Sequence, residues 1–323
     1  MLTKRISALG HALDIVIVNW NAGVQLRHCL KSIPQADPTR EIVGQVVVVD
    51  NNSHDGSIDG LDELGLPLTV IRNTTNLGFG AACNQGAFGS RADYLLFLNP
   101  DTILFQDSLI LPYQFMENSA NAGIGICGIQ LVDETGKICR SSARFPTLRQ
   151  TFSRVFGLSH LYPRQFPEHS MEEWDHGNSQ KVDQVIGAFF WVRRTVFEAM
   201  KGFDPRFFVY FEEVDLSFRA AQAGWASFYL TEGRAFHKGH GTTDQVKPAR
   251  LFYSLQSRIY YGFKHFSIFS AFGLALLTLL VEPFSRLFLC AAKGSCGAMF
   301  DVIRGYAMLY GSIARLLVRK VVR

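Results

Sequence analysis

Four short apolar runs, rich in β-branched residues and spaced along the first hundred positions, constrain this chain most. They are Asp14–Asn19 (DIVIVN), Gln45–Asp50 (QVVVVD), Leu68–Arg72 and Asp93–Leu98 (DYLLFL). Continuous runs of this length, without polar alternation, suit strands buried on both faces of a parallel sheet. The stretches between them, Val24–Ser32, Ser57–Leu64 and Ala81–Ser90, can be helical. Alternation of strand and helix predicts an open, doubly wound α/β sheet. Ligands bind such sheets at the carboxyl ends of the strands, so Asp50, Asn52 and Asp101 stand where chemistry is expected.

Further strands are expected over Gly123–Leu131, Val182–Arg193 and Ala226–Leu230, with an acidic entry into a helix over Phe207–Ala223. Ser141–Gln180 is rich in Pro, His and aromatic residues and has weak periodicity, which reads as a binding loop or lid. No internal repeat is apparent.

Composition excludes a disordered chain: of 323 residues, 48% are hydrophobic and 19% charged. That length allows two domains, or one large α/β domain with additions. The net charge of +4 is weak for a nucleic-acid partner, and it is unevenly placed. Residues 293–323 hold Lys293, Arg304, Arg315, Arg319, Lys320 and Arg323 against Asp301 alone, a net +5 that leaves −1 for the remainder. Phe266–Val281 carries no charge, but it is shorter than the roughly 20 residues of a simple span. Glu282, Pro283 and Arg286 then interrupt it, so the segment reads as a shallow or re-entrant membrane helix or a hairpin, with a buried helix as the alternative. Met299–Arg323 sets Ile303, Met308, Leu309, Ile313, Leu316 and Leu317 among basic residues, as an interfacial helix does. Anionic lipid would attract those cations by about 1 kcal/mol each.

The six cysteines (Cys29, Cys83, Cys127, Cys139, Cys290, Cys296) show no CxxC pair and no metal-finger spacing, which points to reduced, buried thiols. Met1–His11 lacks the apolar core of a signal peptide, so the sequons at Asn51 and Asn73 are discounted.

Several motifs can carry chemistry. Asp50-Asn51-Asn52-Ser53-His54-Asp55-Gly56-Ser57 is either an Asx turn capping a helix or a nucleotide pocket, in which a strand-end carboxylate takes a base N–H. Asn76–Gly86 (NLGFGAACNQG) resembles a dinucleotide fingerprint only loosely, with Cys83 where the third glycine belongs, and NAD binding is rejected. Its glycines instead allow close approach of a nucleotide, with Asn84 facing it. Asp101 can join a divalent metal that bridges a diphosphate, because phosphates and water supply the other ligands. Glu212, Glu213 and Asp215 lie within four positions amid aromatic residues; they either favour a helix N-terminus or provide a general base. His237, followed by Gly239, His240 and Gly241, is a candidate metal ligand or phosphate contact.

Taken in order, VNWN, VVDNNSHDGS, NLGFGAACNQG, LFLNPD, the stretch from Gly187 to Trp225 and a closing His resemble a family 2 inverting glycosyltransferase with the GT-A fold. The resemblance runs from about Leu13 to about Phe266 and is nearest to bacterial rhamnosyltransferases of cell-surface polysaccharide assembly. It implies a catalytic domain over residues 1–265, an open, mostly parallel mixed sheet flanked by helices, and a membrane-associated helical tail over 266–323. It further implies that Asp50 and Asn52 contact the base, and that Asn76, Gly78 and Asn84 form the donor loop. Asn99-Pro100-Asp101 stands at the family's Asp-x-Asp motif with Asn99 in place of its first acid, leaving Asp101 and His237 for Mg²⁺ or Mn²⁺. Glu212 and Glu213 match the family's acidic pair, with Glu213 as base where Asp is usual.

The implied reaction is a single displacement that inverts the anomeric centre. The implied donor is a nucleotide sugar, dTDP-rhamnose, and the acceptor a saccharide on a polyprenyl diphosphate, at the cytoplasmic face of a bacterial inner membrane. Alternatives are a hexosyltransferase using a UDP-sugar, a processive synthase, or a non-catalytic nucleotide-binding scaffold. A Gln-x-x-Arg-Trp motif, expected of a processive synthase, is lacking at Trp225, and no Lys-bearing phosphate loop of a nucleotidyltransferase is found near the start.

Overall fold

The computed structural model describes residues 12–239 and 246–321, with side chains as far as residue 313. Met1–His11, His240, Gly241 and the side chains of Arg315, Leu316, Leu317, Arg319, Lys320 and Arg323 therefore lie outside the described residues. The chain divides into two compact units. The first takes the described chain up to Phe145, then Ser170–Phe208, then the stretch from Glu212 to the end of the last strand. The second takes Pro146–His169, Val209–Phe211 and the C-terminal helices.

The first unit opens with β1 (Leu13–Asn19), α1 (Val24–Ala36), β2 (Val43–Asp50), β3 (Leu68–Arg72), α2 (Phe79–Ala87) and β4 (Tyr94–Leu98). Next come β5 (Thr102–Leu104), α3 (Asp107–Glu117), β6 (Ile124–Val132), β7 (Ile138–Cys139) and β8 (Ser142–Ala143). The second unit interposes α4 (Leu148–Val155) and α5 (Leu158–Leu161). The first then resumes with β9 (Gln180–Val182), β10 (Gln184–Val185), β11 (Phe189–Arg193), α6 (Arg194–Ala199), α7 (Glu212–Gln222) and β12 (Ala226–His237). The second unit ends with α8 (Lys247–His265), α9 (Ile268–Ala292) and α10 (Cys296–Val321).

One ten-stranded sheet runs β3-β2-β1-β4-β11-β6-β12-β5, with β7 on β6 and β9 on β12. The first four strands are mutually parallel, and β11 enters antiparallel between β4 and β6. The apolar runs were legible as strands because both faces are covered. Ile15 and Ile17 of β1 join a cluster with Leu26, Leu30 and Trp191, while Val16 and Val18 join another with Phe97, Phe190 and Leu216. Alternate side chains of a strand leave on opposite faces, so a strand between two helical layers must be apolar throughout.

Five expectations change. Ser57–Leu64 holds a single 3₁₀ turn at Asp62–Leu64, because Gly56, Gly60 and Gly65 take φ of 70°, 63° and 64°, which a helix does not admit. Ser141–Gln180 is not irregular throughout: it contains β8, α5 and α4, the last opened by a reciprocal Thr147–Gln150 capping box. The strand expected over Val182–Arg193 divides among β9, β10 and β11, and β12 continues past Leu230 to His237. Finally, Glu282, Pro283 and Arg286 do not interrupt the apolar helix. Helix α9 passes through a π turn at Leu277–Val281, and Glu282 points inward and is 2% exposed. Its length and composition suffice to cross a membrane.

Candidate active site

The carboxyl ends of β1 and β2 build the first part of the site. The parallel register places Asn19 opposite Asp50. Asn19 Nδ2 donates to Asp50 Oδ1 at 2.7 Å and to Ser57 Oγ at 2.8 Å, and the Ser53 amide donates to Asp50 Oδ2 at 3.1 Å. Asp50 is buried but keeps acceptor capacity, since a carboxylate offers about four lone-pair sites. Asn52 adopts φ of 64°, a left-handed turn that Asn tolerates, and its Nδ2 lies 3.3 Å from His54 Nε2. Sequence reasoning missed Asn19 of the VNWN motif, whose position at the end of an adjacent apolar run is the available signal.

The loop before α2 forms the second part. Asn76 Oδ1 accepts the Gly78 amide at 2.9 Å, an Asx turn that sets up the helix entry. Gly78 has φ of 87°, and a Cβ there would lie 2.4 Å from the Phe208 carbonyl oxygen. Only glycine permits this approach. The Phe79 amide then donates to that same carbonyl at 2.7 Å. Asn51 Nδ2 donates to the Gly78 carbonyl at 3.2 Å, tying the β2 end to the loop; sequence reasoning missed this residue beside Asp50. Asn84 is held by main chain. Its Nδ2 donates to the Phe203 carbonyl at 2.8 Å and its Oδ1 accepts the Phe203 amide at 2.8 Å, so both ends of the amide clamp main chain.

Because Phe208 is held on this loop, the acidic start of α7 arrives beside it. A Cβ on Gly80 would lie 3.4 Å from Glu212 Cβ. Glu212 is 4% exposed, Glu213 is partly buried, and Oε2 of each lacks a hydrogen-bond partner among the described residues. Burial raises the pKa of both carboxyls, and the neighbouring Glu213 charge raises Glu212 further. Asp215 belongs to structure: it is fully buried and paired with Arg219 at 2.8 Å. The Cys83 thiol behind the acids is pushed well up by burial and then by their charges, so it is no nucleophile.

Asp101, just past β4, and His237, at the end of β12, complete the site. His237 Nε2 lies 3.3 Å from Asp101 Oδ1, with side chains 13% and 9% exposed. No group of three or more His, Cys, Asp and Glu gathers among the described residues. This donor set fits a divalent cation that takes one or two protein ligands and completes its shell from phosphates and water, not a closed protein cage.

The mostly parallel mixed sheet flanked by helices is the GT-A architecture of glycosyltransferases. The family model "Glycosyl transferase family 2" matches residues 14–200, and the chain belongs to that family. An N-acetylglucosaminyl-diphospho-decaprenol L-rhamnosyltransferase of Mycobacterium tuberculosis is 28% identical over 244 residues, 71% of this chain and 77% of the relative. The rhamnosyltransferase WbbL of Escherichia coli is 31% identical over 150 residues, 46% of this chain and 53% of the relative. Among solved structures, the mannosyltransferase PcManGT of Pyrobaculum calidifontis, in complex with GDP-Man and Mn²⁺, superposes with a TM-score of 0.56 at 16% identity, covering 96% of this chain and 81% of that one. TarS 1-349 of S. aureus with UDP-GlcNAc gives 0.53 at 14%, covering 90% and 73%. Both share the fold.

Proposed function

We propose that this glycosyltransferase moves rhamnose from dTDP-rhamnose to a lipid-linked saccharide acceptor, with inversion, in the assembly of a bacterial cell-surface polysaccharide. The observation that carries the reading is the seating of the Glu212–Glu213 pair on the Gly78–Gly80 loop through Phe208. That contact joins a nucleotide-type loop to a base. The names of the mycobacterial and E. coli relatives support the sugar, and that of the first supports the lipid diphosphate acceptor.

Asp50, assisted by Asn52, receives the nucleobase, while Asn76 and Gly78 shape the loop along which the diphosphate lies. Asn84 acts indirectly by fixing Phe203 against α2. Asp101 and His237 are the residues that would hold Mg²⁺ or Mn²⁺, whose charge favours departure of the nucleoside diphosphate. Glu213 takes the proton of an acceptor hydroxyl. That oxygen bonds to the anomeric carbon from the face opposite the diphosphate, and the electron pair of the breaking C–O bond leaves on the diphosphate. Burial holds the pKa of this base up, and its charge in turn raises that of Glu212 beside it.

The C-terminal helices support a membrane address at the cytoplasmic face, where nucleotide sugars are made. Phe269, Phe272, Leu276, Leu280, Phe284 and Phe288 recur every three or four positions on α9 and are all more than half exposed. An exposed apolar stripe of this size marks a surface that meets lipid or protein.

The test uses full-length protein in detergent with polyprenyl-diphosphate-GlcNAc as acceptor and a panel of nucleotide sugars. Transfer of a single rhamnose from dTDP-rhamnose, dependent on added Mg²⁺ or Mn²⁺ and inverted by NMR, is expected. Transfer only from a UDP-sugar overturns the donor, and addition of many sugars per acceptor overturns single transfer. Binding without turnover of any donor would leave a scaffold.

A further inference from the structure

The second unit contains a cavity that the catalytic reading does not use. It measures about 50 Å³ and is lined by Arg154, Arg258, His169, Glu168, Gln150 and Phe211, among others. Arg258 is 6% exposed. Its Nη1 donates to Glu282 Oε1 at 3.4 Å, and its Nη2 donates to Glu282 Oε2 and, at 3.0 Å, to Thr278 Oγ1. Its buried Nε has no acceptor among the described residues. Arg286 also donates to Glu282, at 2.9 Å, whereas half-exposed Arg154 reaches that carboxylate only at 4.0 Å. Three guanidinium groups thus converge on one buried carboxylate, with Glu168 as the other acid at the cavity wall.

Buried Arg258 and Glu282 balance each other and Arg154 and Arg286 are partly exposed, so the cost that remains is the unpaired buried N–H at Arg258 Nε. A ligand bringing negative charge and several acceptor oxygens would satisfy that N–H and meet the Arg154 guanidinium, which reaches Glu282 only at 4.0 Å. Phosphoryl groups suit guanidinium forks in this way. The volume corresponds to roughly four waters, enough for one such group. The entry of α4 lines the same cavity through Thr147 and Gln150, adding the positive end of a helix.

We propose that this cavity holds a phosphoryl group of the lipid-linked acceptor, with Arg154 and Arg258 as its ligands; the choice of lipid rests on the proposed function, the anion site does not. The exposed apolar stripe of α9 belongs to the same unit and supplies a surface for the prenyl chain. In the chain, Phe211 of the cavity wall is followed at once by Glu212 and Glu213.

The test measures binding of farnesyl diphosphate to full-length protein in detergent by calorimetry, with dTDP saturating the nucleotide site. Wild-type protein should bind, and Arg154→Ala should weaken binding about tenfold or more. Arg258→Lys should do the same, but Arg154 is half-exposed and its variant reads the site even if the buried substitution fails to fold. Equal binding by wild type and Arg154→Ala overturns the site. Binding of dihexanoyl phosphatidylglycerol that farnesyl diphosphate cannot displace assigns the cavity to phospholipid and overturns the acceptor. Inorganic pyrophosphate binding as tightly as farnesyl diphosphate removes the lipid from the argument and overturns it likewise. These readouts need no turnover, so failure of sugar transfer would refute the proposed function separately.

Discussion

Glu212 and Glu213 are neighbours in sequence but face different constraints. Glu213 must be ionised to accept a proton, and burial raises its pKa above the usual carboxylate value. The acid limb of kcat/KM should therefore lie above the ordinary glutamate value of about 4.3, with activity lost as pH falls through it. A pH–rate profile checks this, and a limb at or below that value would count against Glu213 as base. Glu213→Gln should retain donor binding by calorimetry while transfer falls about 10²–10⁴-fold. Glu212 carries a raised pKa too, so the folded state binds more protons there than the unfolded chain, and stability falls as pH rises past the unfolded value. Glu212→Gln should raise Tm at neutral pH and have little effect near pH 4, as thermal scans at both values would show. Of these residues, the sequence identified the acids but not their setting. Paired glutamates at a helix start are common, and only the Gly80 and Phe208 contacts distinguish this pair from a set of helix-terminal charges.

At the scale of elements, α7 is held by Arg219. Its Nε donates to buried Asp215 at 2.8 Å, and its other nitrogens donate to the carbonyls of Met200 and Gly202. Arg219→Ala removes the cation paired with a fully buried carboxylate, together with two bonds to carbonyls, and should cost roughly 3–5 kcal/mol in urea unfolding. The loop before α2 is equally exacting. Gly78→Ala would force a Cβ into the Phe208 carbonyl at positive φ, so donor affinity by calorimetry should fall together with Tm. Both elements were visible in outline, as an acidic helix and a glycine-rich turn. The helix expected at Ser57–Leu64 was not realised because three left-handed glycines outweigh a favourable local pattern.

At the scale of the molecule, α9 makes the strongest prediction. Replacing Phe269, Phe272, Phe284 and Phe288 together by Ser changes exposed side chains, so the fold should persist by circular dichroism. Flotation with phosphatidylglycerol liposomes should nevertheless be lost. Continued flotation of the variant would remove the stripe from the membrane contact.

Strand, helix and turn follow from spacings of two, three and four residues and from glycine and asparagine conformations, all written locally; the parallel core and the glycine-rich turn before α2 were therefore readable from sequence alone. Convergence is different. Gly78 meets Phe208, His237 meets Asp101, and Glu282 meets Arg258 only after crossovers bring distant segments together. The last pair shows the physical reason clearly. A charge at position 282 reads as a break in an apolar helix when its surroundings are unknown. Once an arginine from another helix compensates it inside the second unit, the same charge leaves the helix whole and its apolar face exposed.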